Sequence, residues 1–281
     1  MQSRQVTAPL SHAPETELVA AVADLVASHR VRGTALDDLP EALRPPSYEP
    51  VEHIMLALHR RLPWTTVGWK VGAASEEVQK LERLPGPVPG RLFERGLYHS
   101  GDTVPASALI NHRNTECEFA FMLTEDLPAR AEEYTVEEVS AVLGDLVPVL
   151  EIGDSVFPNW YDSSLYYGPC LDNGGGAALV LGTPVSDWRD EDLASAPIDQ
   201  YLNGEFRRRG LGSAAMGNPV ASLTWMANWT SSYGIDLLAG EILSSGTCTS
   251  HCFAAPGDRI TADFGRFGLV EITYEMAEEP S

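Results

Sequence analysis

Three glutamates inside apolar segments are the residues of this sequence whose types and spacing best suit chemistry. Glu116 and Glu118 belong to one apolar run, and Glu151 belongs to a second, at residues 147–152. Alternate side chains of a β-strand point to the same face, so Glu116 and Glu118 should face the same way. Burying neighbouring carboxylates costs free energy unless a cation joins them. The pattern therefore indicates a site for a hard divalent cation, Mg²⁺ or Mn²⁺, with oxygen ligands.

A plainer interpretation of the same glutamates also fits. In it, Glu116 or Glu118 faces solvent on an edge strand, and Glu151 is a partner in an ion pair. The residues alone leave both interpretations open, because groups of three carboxylates are not rare in proteins.

Two further segments carry candidate site residues. Lys70 lies in the apolar segment at residues 67–72, where a lysine either extends outward to solvent or is held in a site. In a site, burial would lower the pKa of its ammonium and suit it to proton transfer. The turn formed by Ser245, Gly246 and Thr247 ends another apolar segment, and its backbone N–H groups are suited to holding a carboxylate.

The chain divides into two regions that must position these residues. Apolar stripes within residues 15–30 and 51–58 predict two helices in an N-terminal helical segment, residues 1–65. Residues 66–281 contain many short apolar segments, which predict a strand-rich main domain. The predicted strands are residues 66–71, 116–123, 147–152, 177–181, 241–245, 259–264 and 268–274. This order predicts an α+β fold with a rolled sheet.

Local signals add two helices and one loop to the main domain. A capping box begins a helix at Thr135, and Asn218 followed by Pro219 begins another. The apolar residues expected to face inward from the first of these helices are Val139, Val142, Leu143 and Leu146. Residues 84–90 hold three prolines and two glycines, which predicts an irregular loop.

Composition excludes several classes of partner and reaction. The net charge of −21 argues against nucleic acid and anionic membranes as partners, and no apolar run is long enough to span a bilayer. The N-terminus lacks the apolar core of a secretory signal, and the four cysteines suit reduced thiols in a cytoplasmic protein. Cys248, His251 and Cys252 match no common zinc spacing. No nucleotide-binding glycine motif or serine-hydrolase elbow is present in the sequence.

Taken together, these segments resemble the 2-keto-4-pentenoate hydratase and 4-oxalocrotonate decarboxylase family of the fumarylacetoacetate hydrolase superfamily. The resemblance extends from about residue 67 to residue 274, and it depends on the order and spacing of short landmarks. They are Gly-Trp-Lys-Val-Gly at 68–72, Glu-Cys-Glu at 116–118, Val-Leu-Glu at 149–151, Asp-Asn at 172–173, Gly-Asn-Pro at 217–219, Ser-Gly-Thr at 245–247 and Pro-Gly-Asp at 256–258.

The resemblance implies a mixed β-roll core with an N-terminal helical segment, assembled as a homo-oligomer. It also implies Mg²⁺ or Mn²⁺ held by Glu116, Glu118 and Glu151, with Lys70 as a catalytic residue. The residues that the resemblance places against the substrate are Asn173, Ser245, Gly246 and Thr247.

The chemistry implied by the resemblance begins with a small-molecule 2-oxo acid that chelates the metal through its carboxylate and keto oxygens. The metal then stabilises an enolate or dienolate. The default expectation is a hydratase of the 2-hydroxypenta-2,4-dienoate type. The alternatives are a vinylogous decarboxylase of the 4-oxalocrotonate type, a C–C bond hydrolase and a non-catalytic partner subunit.

Four departures from the family pattern indicate a divergent member. Val88 stands where the family has an acidic residue, and Gly175 removes a hydroxyl group. Asn218 replaces a histidine, and Asn114 replaces an arginine two residues before the first glutamate. The metal ligands therefore match the family while their surroundings differ, which favours a larger or different oxo acid as substrate.

Overall fold

The computed structural model describes residues 16–159, apart from residue 82, and residues 167–276. The helices in these ranges are α1 (Glu17–Arg32), α2 (Glu49–Arg61), α3 (Glu76–Leu81), α4 (Val136–Val142), α5 (Gly168–Leu171) and α6 (Pro219–Ser232). The strands are β1 (Thr66–Gly72), β2 (Val88–Phe93), β3 (Leu97–His99), β4 (Thr103–Val104), β5 (Asn114–Leu123), β6 (Leu143–Gly153), β7 (Gly176–Leu181), β8 (Pro197–Leu202), β9 (Glu205–Leu211), β10 (Ile242–Ser244), β11 (Cys252–Phe253), β12 (Arg259–Asp263) and β13 (Leu269–Tyr274). Residues 1–15 and 277–281, at the two ends of the predicted regions, lie outside the described residues.

A large mixed sheet carries the glutamates. Its strand order is β2-β1-β10-β5-β6-β7-β3, and β11 pairs with the start of β5. β1 is parallel to β10 and β3 is parallel to β7, whereas the other neighbours are antiparallel. A second sheet has the order β4-β13-β12-β8-β9. The mixed sheet curls into a half-barrel, and the predicted α+β fold with a β-roll core and N-terminal helices is confirmed.

One face of the mixed sheet is polar at one end and apolar at the other. Glu118 on β5 and Glu151 on β6 mark the polar end. Side chains alternate between faces along a strand, so residues two and four positions away from the glutamates continue the same face. There they form a buried apolar cluster of Leu92, Ala120, Val147, Val149, Leu179 and Ile242. This cluster keeps water away from one side of the glutamates.

The N-terminal helices pack against each other, and α2 also packs against α5. Thr16 caps α1 by accepting a hydrogen bond from the backbone N–H of Val19, and the apolar stripes of α1 and α2 join the main core. Both predicted N-terminal helices are confirmed, while the domain boundary at residue 65 stays a prediction. In the described part of the chain, no helix combines the length and apolarity needed to cross a bilayer.

A buried ion pair joins α1 to the connection between β6 and β7. Arg30 Nε donates to Asp172 Oδ1 at 2.5 Å, and Arg30 Nη2 donates to the Asp154 carbonyl oxygen at 2.8 Å. The second oxygen of Asp172 accepts from the Ser155 hydroxyl and the Val156 N–H. Arg30 is 9% exposed and Asp172 is fully buried. The first helix therefore fixes the segment that begins at Asp172.

The predicted loop at residues 84–90 is wrong at its C-terminal end. Val88, Pro89 and Gly90 begin β2, which pairs antiparallel with β1. Proline has no N–H to donate, but β2 is an edge strand of the mixed sheet, where one side of the backbone needs no strand partner. The edge position explains why a proline-rich segment forms a strand here.

The helix predicted from Thr135 is confirmed, but it ends earlier than its apolar residues suggest. The capping box between Thr135 and Glu138 is present, and α4 ends at Val142. Leu143 and Leu146, predicted to face inward from this helix, instead belong to β6. Both leucines are fully buried, because β6 lies in the interior of the sheet and is covered on both faces.

Candidate active site

Strand pairing brings the three glutamates together. Glu116 on β5 and Glu151 on β6 are partners in the antiparallel register, and Glu118 lies two residues further along β5. Carboxylate oxygens of all three lie within 4.8 Å of one another. Glu118 is fully buried and Glu151 is 4% exposed. The prediction that these carboxylates converge on one face is confirmed.

Glu118 has one satisfied oxygen and one unsatisfied oxygen. Its Oε2 accepts from Ser244 Oγ at 2.5 Å and from the Gly246 N–H at 3.1 Å. Its Oε1 is enclosed and has no hydrogen-bond partner among the described residues. Burial, with the charges of Glu151 and Glu116 adding to it, raises the pKa of Glu118 well above its ordinary value. A cation placed between these carboxylates would relieve both the repulsion and the missing contact.

Lys70 is held in the site as an ammonium ion. Its Nζ lies 3.3 Å from Glu151 Oε1 and donates to the Gly174 carbonyl oxygen at 2.5 Å. Burial acts to lower the pKa of Lys70, but the charges of Glu151, Glu116 and Glu118 outweigh it, so the pKa is raised. The sequence-based expectation of a lowered pKa is wrong, because the sequence does not show how closely the carboxylates surround the ammonium. Burial raises the pKa of Glu151 even with Lys70 opposing it.

Four glycines enclose the side chain of Lys70. We call them the glycine cage: Gly72, Gly90, Gly174 and Gly176. A Cβ at Gly90 would lie 2.6 Å from the Asn173 carbonyl oxygen and 2.7 Å from Lys70 Cε. A Cβ at Gly176 would lie 3.0 Å from both Lys70 Cε and Glu151 Oε1. At Gly90 the backbone therefore approaches its neighbours more closely than a residue with a side chain would allow.

His251 belongs to the site and was not assigned to it from the sequence. His251 Nδ1 lies 2.7 Å from Glu116 Oε1, and Asn114 Nδ2 donates to the same oxygen at 3.0 Å. Burial acts to raise the pKa of Glu116, but His251, Lys70 and Asn114 outweigh it, so the pKa is lowered. The signal in the sequence was Asn114, which stands where the family has an arginine. Without that arginine, Glu116 needs another hydrogen-bond donor.

Glu116, Glu151, Lys70 and His251 open into one cleft, and Glu118 is buried behind them. The lining of the cleft is completed by Gly72, Ala73, Val78, Val88, Gly153, Cys170, Gly174, Gly175 and Thr247. Val88 pairs with Gly72 across β1 and β2, and Gly90 pairs with Lys70. Val88 therefore shares the face of Lys70, and its isopropyl group occupies the position at which the family resemblance leads one to expect an acid.

Of the predicted turn at residues 245–247, only Thr247 lines the cleft. The Gly246 N–H is directed to Glu118. Ser245 is fully buried, and its carbonyl oxygen accepts from Ser222 Oγ at 2.6 Å. The turn thus orients a glutamate and supports the sheet end, and Thr247 is the member placed to contact a substrate.

Asn173, predicted to bind substrate, uses its whole amide within the protein. Its oxygen accepts from the Arg91 N–H at 2.7 Å and from His59 Nε2 at 2.8 Å. Its nitrogen donates to the carbonyl oxygens of Arg91 and Gly176, each at 3.0 Å. These four bonds fill the capacity of an asparagine amide, so the contacts favour a role in positioning residues 173–176 beside Lys70.

The burial of His59 leads to a testable pH dependence. Burial, together with the charge of Arg91, lowers the pKa of His59 from 6.5 to about 3. Between these two pKa values, His59 binds a proton in the unfolded chain but not in the folded chain. The free energy of unfolding therefore falls as the pH drops below 6.5. Each pH unit costs about 1.4 kcal/mol of unfolding free energy. His59→Gln is expected to remove this loss, measured by urea unfolding at pH 6.5 and pH 5.

The control for this comparison is His99→Gln, which removes an exposed imidazole. The difference in unfolding free energy between pH 6.5 and pH 5 should shrink by about 2 kcal/mol in His59→Gln relative to that control. An equal difference in both variants would show that His59 titrates normally in the folded protein.

The charges of the site fit a divalent cation. The three glutamates carry three negative charges if fully ionised, and Lys70 supplies one positive charge in contact with them. A dication would balance the remainder, and it would give a partner to Glu118 Oε1, which has none among the described residues. Carboxylate oxygens are the ligands that Mg²⁺ and Mn²⁺ prefer.

Comparison with known proteins assigns the family. The sequence profile of the fumarylacetoacetate hydrolase C-terminal family matches residues 73–274. This chain belongs to that family. The match contains Glu116, Glu118, Glu151 and the residues of the cleft that follow Gly72.

Within the fumarylacetoacetate hydrolase family, the sequence relatives are hydratases. The chain is 32% identical to the 2-hydroxyhexa-2,4-dienoate hydratase of Comamonas testosteroni over 88% of this chain and 92% of the relative. It is 31% identical to the 2-keto-4-pentenoate hydratase of Paraburkholderia xenovorans over 78% of each chain. The predicted family is thereby confirmed.

A solved structure confirms the fold. The 4-oxalocrotonate decarboxylase from Pseudomonas putida G7, complexed with magnesium and adipate, superposes with a TM-score of 0.83 at 22% identity. The match covers 94% of this chain and all of the decarboxylase chain.

Proposed function

We propose that this protein is a divalent-metal-dependent hydro-lyase that hydrates a 2-hydroxy-2,4-dienoate of the 2-hydroxypenta-2,4-dienoate type. The observation that carries the proposal is the convergence of three carboxylates, of which Glu118 and Glu151 are buried, with one ammonium beside the cleft. Glu116, Glu118 and Glu151 would hold Mg²⁺ or Mn²⁺. Lewis acidity toward the 2-oxygen of the substrate is the chemistry that a bound dication supplies there. The hydratase activities of the sequence relatives support the choice of reaction.

The residues of the chain prepare the cleft for an anionic substrate. Lys70 presents an ammonium whose position is fixed by Glu151 and Gly174, so it attracts a carboxylate without having to reorganise. The apolar cluster behind the glutamates excludes water from that side, which strengthens each charge interaction in the site. Thr247 adds a hydroxyl group on the cleft wall.

The proposed reaction adds one water to the substrate. In 2-hydroxypenta-2,4-dienoate, C4 gains a hydroxyl group, and C3 and C5 each gain a hydrogen. The 2-hydroxyl group loses its hydrogen as the ketone forms, and the product is 4-hydroxy-2-oxopentanoate. The side chain of Val88 has no ionisable group, so the proton transfers do not use that position.

The direct experiment follows the ultraviolet absorbance of 2-hydroxypenta-2,4-dienoate with purified protein and Mg²⁺ or Mn²⁺. We expect the dienol absorbance to disappear with formation of 4-hydroxy-2-oxopentanoate, to stop with a chelator and to resume when metal is restored. The parallel substrate is 2-oxohex-3-enedioate, with CO₂ release measured. Faster CO₂ release would assign a vinylogous decarboxylase, and no reaction of either substrate would contradict the proposal.

We also infer that the protein acts as a homo-oligomer, as the family resemblance implies. Large apolar side chains that are more than half exposed support this inference, among them Phe206 (56%), Leu269 (61%) and Met276 (69%). Such side chains are candidates for contact with a second copy. Light scattering during size-exclusion chromatography measures the mass, and a mass equal to one 30.5 kDa chain would contradict the inference.

A further inference from the structure

We infer that the cleft selects substrates whose end remote from the metal is uncharged and apolar, and that it rejects a second carboxylate. This inference rests on the proposed function, because it takes the glutamates and Lys70 as the place where the 2-oxo acid end binds. It assigns specificity to the cleft wall that carries Val78 and Val88.

The wall beyond Lys70 is apolar. Val88 lies two residues before Gly90, the partner of Lys70, so on β2 it carries the first side chain beyond Gly90 on the face of the lysine. Ala73 and Val78 follow β1 in the chain, and Cys170 on α5 also lines the cleft. Val88 is 3% exposed and Cys170 is 1% exposed. A substrate chain that extends from the glutamates past Lys70 therefore meets aliphatic groups and a thiol.

No cation among the described lining residues is left for a second carboxylate. Lys70 and His251 are the basic residues of this lining. Lys70 is bound to Glu151 and Gly174, and His251 is in contact with Glu116. Arg91, on β2, points to the other face, where it stacks at 3.6 Å on Trp69 and pairs with Glu241.

A carboxylate that enters an apolar site without a partner loses its hydration and gains nothing in return. Pockets that leave a charged or polar group unpaired discriminate strongly against ligands that carry it. Adipate, which is bound in the P. putida decarboxylase structure, is a dicarboxylate. We expect this chain, by contrast, to disfavour dicarboxylates.

The test uses two pairs of acids that differ only in the terminal group. In the first pair, 2-oxoheptanoate and 2-oxoheptanedioate are titrated calorimetrically into the protein with Mn²⁺. In the second pair, turnover of 2-hydroxyhepta-2,4-dienoate is compared with that of 2-hydroxyhepta-2,4-dienedioate. We expect the monoacid to bind at least about 30-fold more tightly and to have at least about 100-fold higher kcat/KM.

A charge placed on the wall should weaken this preference. Val78 is half-buried at the cleft and lies on α3, so Val78→Arg extends a guanidinium toward the remote end of the substrate. We expect the affinity for 2-oxoheptanedioate relative to 2-oxoheptanoate to rise at least about 10-fold. The matched control Val78→Leu adds bulk without charge and should keep the wild-type ratio. Val78→Lys gives a second test if the arginine variant does not fold.

The outcomes separate this inference from the proposed function. Equal or tighter binding of 2-oxoheptanedioate by the wild-type protein overturns the inference alone. Preferential binding of 2-oxoheptanoate without turnover of any dienoate supports the inference about the cleft and contradicts the hydratase assignment. If neither 2-oxo acid binds in the presence of Mn²⁺, both are wrong.

Discussion

Glu118→Gln is expected to lower kcat at least about 1,000-fold, because several kcal/mol of charge stabilisation depend on the cation that this carboxylate would hold. Glutamine keeps the shape of the side chain and keeps an oxygen for the Gly246 N–H and Ser244 Oγ. It places an amide nitrogen where the unsatisfied Oε1 now lies, and an N–H₂ group repels a metal ion. Calorimetry should show Mn²⁺ affinity reduced at least about 100-fold. The loss of a residue that only hydrogen-bonds to a metal ligand would cause a smaller reduction.

Thermal unfolding of the metal-free proteins distinguishes a lost ligand from a lost fold. Removing one of three crowded carboxylates relieves the repulsion that raises the pKa of Glu118. The metal-free Glu118→Gln protein should therefore unfold at a higher temperature than the metal-free wild type. Glu52→Gln is the matched control, since Glu52 is half-buried and accepts from Trp229 and Tyr233 away from the cleft. Normal Mn²⁺ binding by Glu118→Gln would remove Glu118 from the metal site.

Arg30→Met is expected to lower the free energy of unfolding by about 3–5 kcal/mol, because it leaves the buried carboxylate of Asp172 without its guanidinium. For a chain of this size the melting temperature should fall by roughly 2–4 °C for each kcal/mol lost. The same change frees the start of residues 172–176, which carry the Gly174 carbonyl oxygen to Lys70. A fall in kcat should therefore accompany the loss of stability.

Two controls isolate the buried ion pair. Arg209→Met breaks an exposed pair with Asp199, in which the arginine side chain is 63% exposed, and should cost less than about 1 kcal/mol. The double variant Arg30→Met/Asp172→Asn should recover part of the loss, because no unpaired charge is left buried. Equal losses in Arg30→Met and Arg209→Met would show that the buried pair contributes no more than a surface contact.

The glutamate site was predictable because strand periodicity is a local property. Spacing alone places Glu116 and Glu118 on one face, and the apolar runs around them identify interior strands. The pairing of Glu116 with Glu151 needs the register of β5 and β6, which the sequence suggests only through family resemblance. The raised pKa of Lys70 depends on the same pairing and could not be obtained from β1 alone.

The errors in the fold arise where context overrides local preference. Pro89 suggests a loop, but the edge of the mixed sheet accepts proline. Leu143 and Leu146 fit a helical stripe, yet the chain needs β6 to begin there. The hairpin of β8 and β9 was not predicted, since its second strand contains three successive arginines and is largely exposed.

His251 could not be found from local sequence. It reaches Glu116 because β11 pairs with β5, a contact between segments more than 130 residues apart in the chain. Asn173 shows the opposite case. A family landmark suggests contact with substrate, whereas the hydrogen bonds of its amide all go to the protein.

The glycine cage also limits how this site can change over evolutionary time. A substitution at Gly90 would place a Cβ 2.6 Å from the Asn173 carbonyl oxygen and 2.7 Å from Lys70 Cε, so variants there should lose the site before any new activity can be selected. Val78 also lines the cleft, is only half-buried and lies outside the glycine cage, so we expect its side chain to tolerate changes in size or charge. Substitutions that preserve function should therefore fall on the wall that contacts the remote end of the substrate. Descendants of this protein should therefore differ in the remote end of the substrates that they accept, while the chemistry at the 2-oxo acid end stays the same.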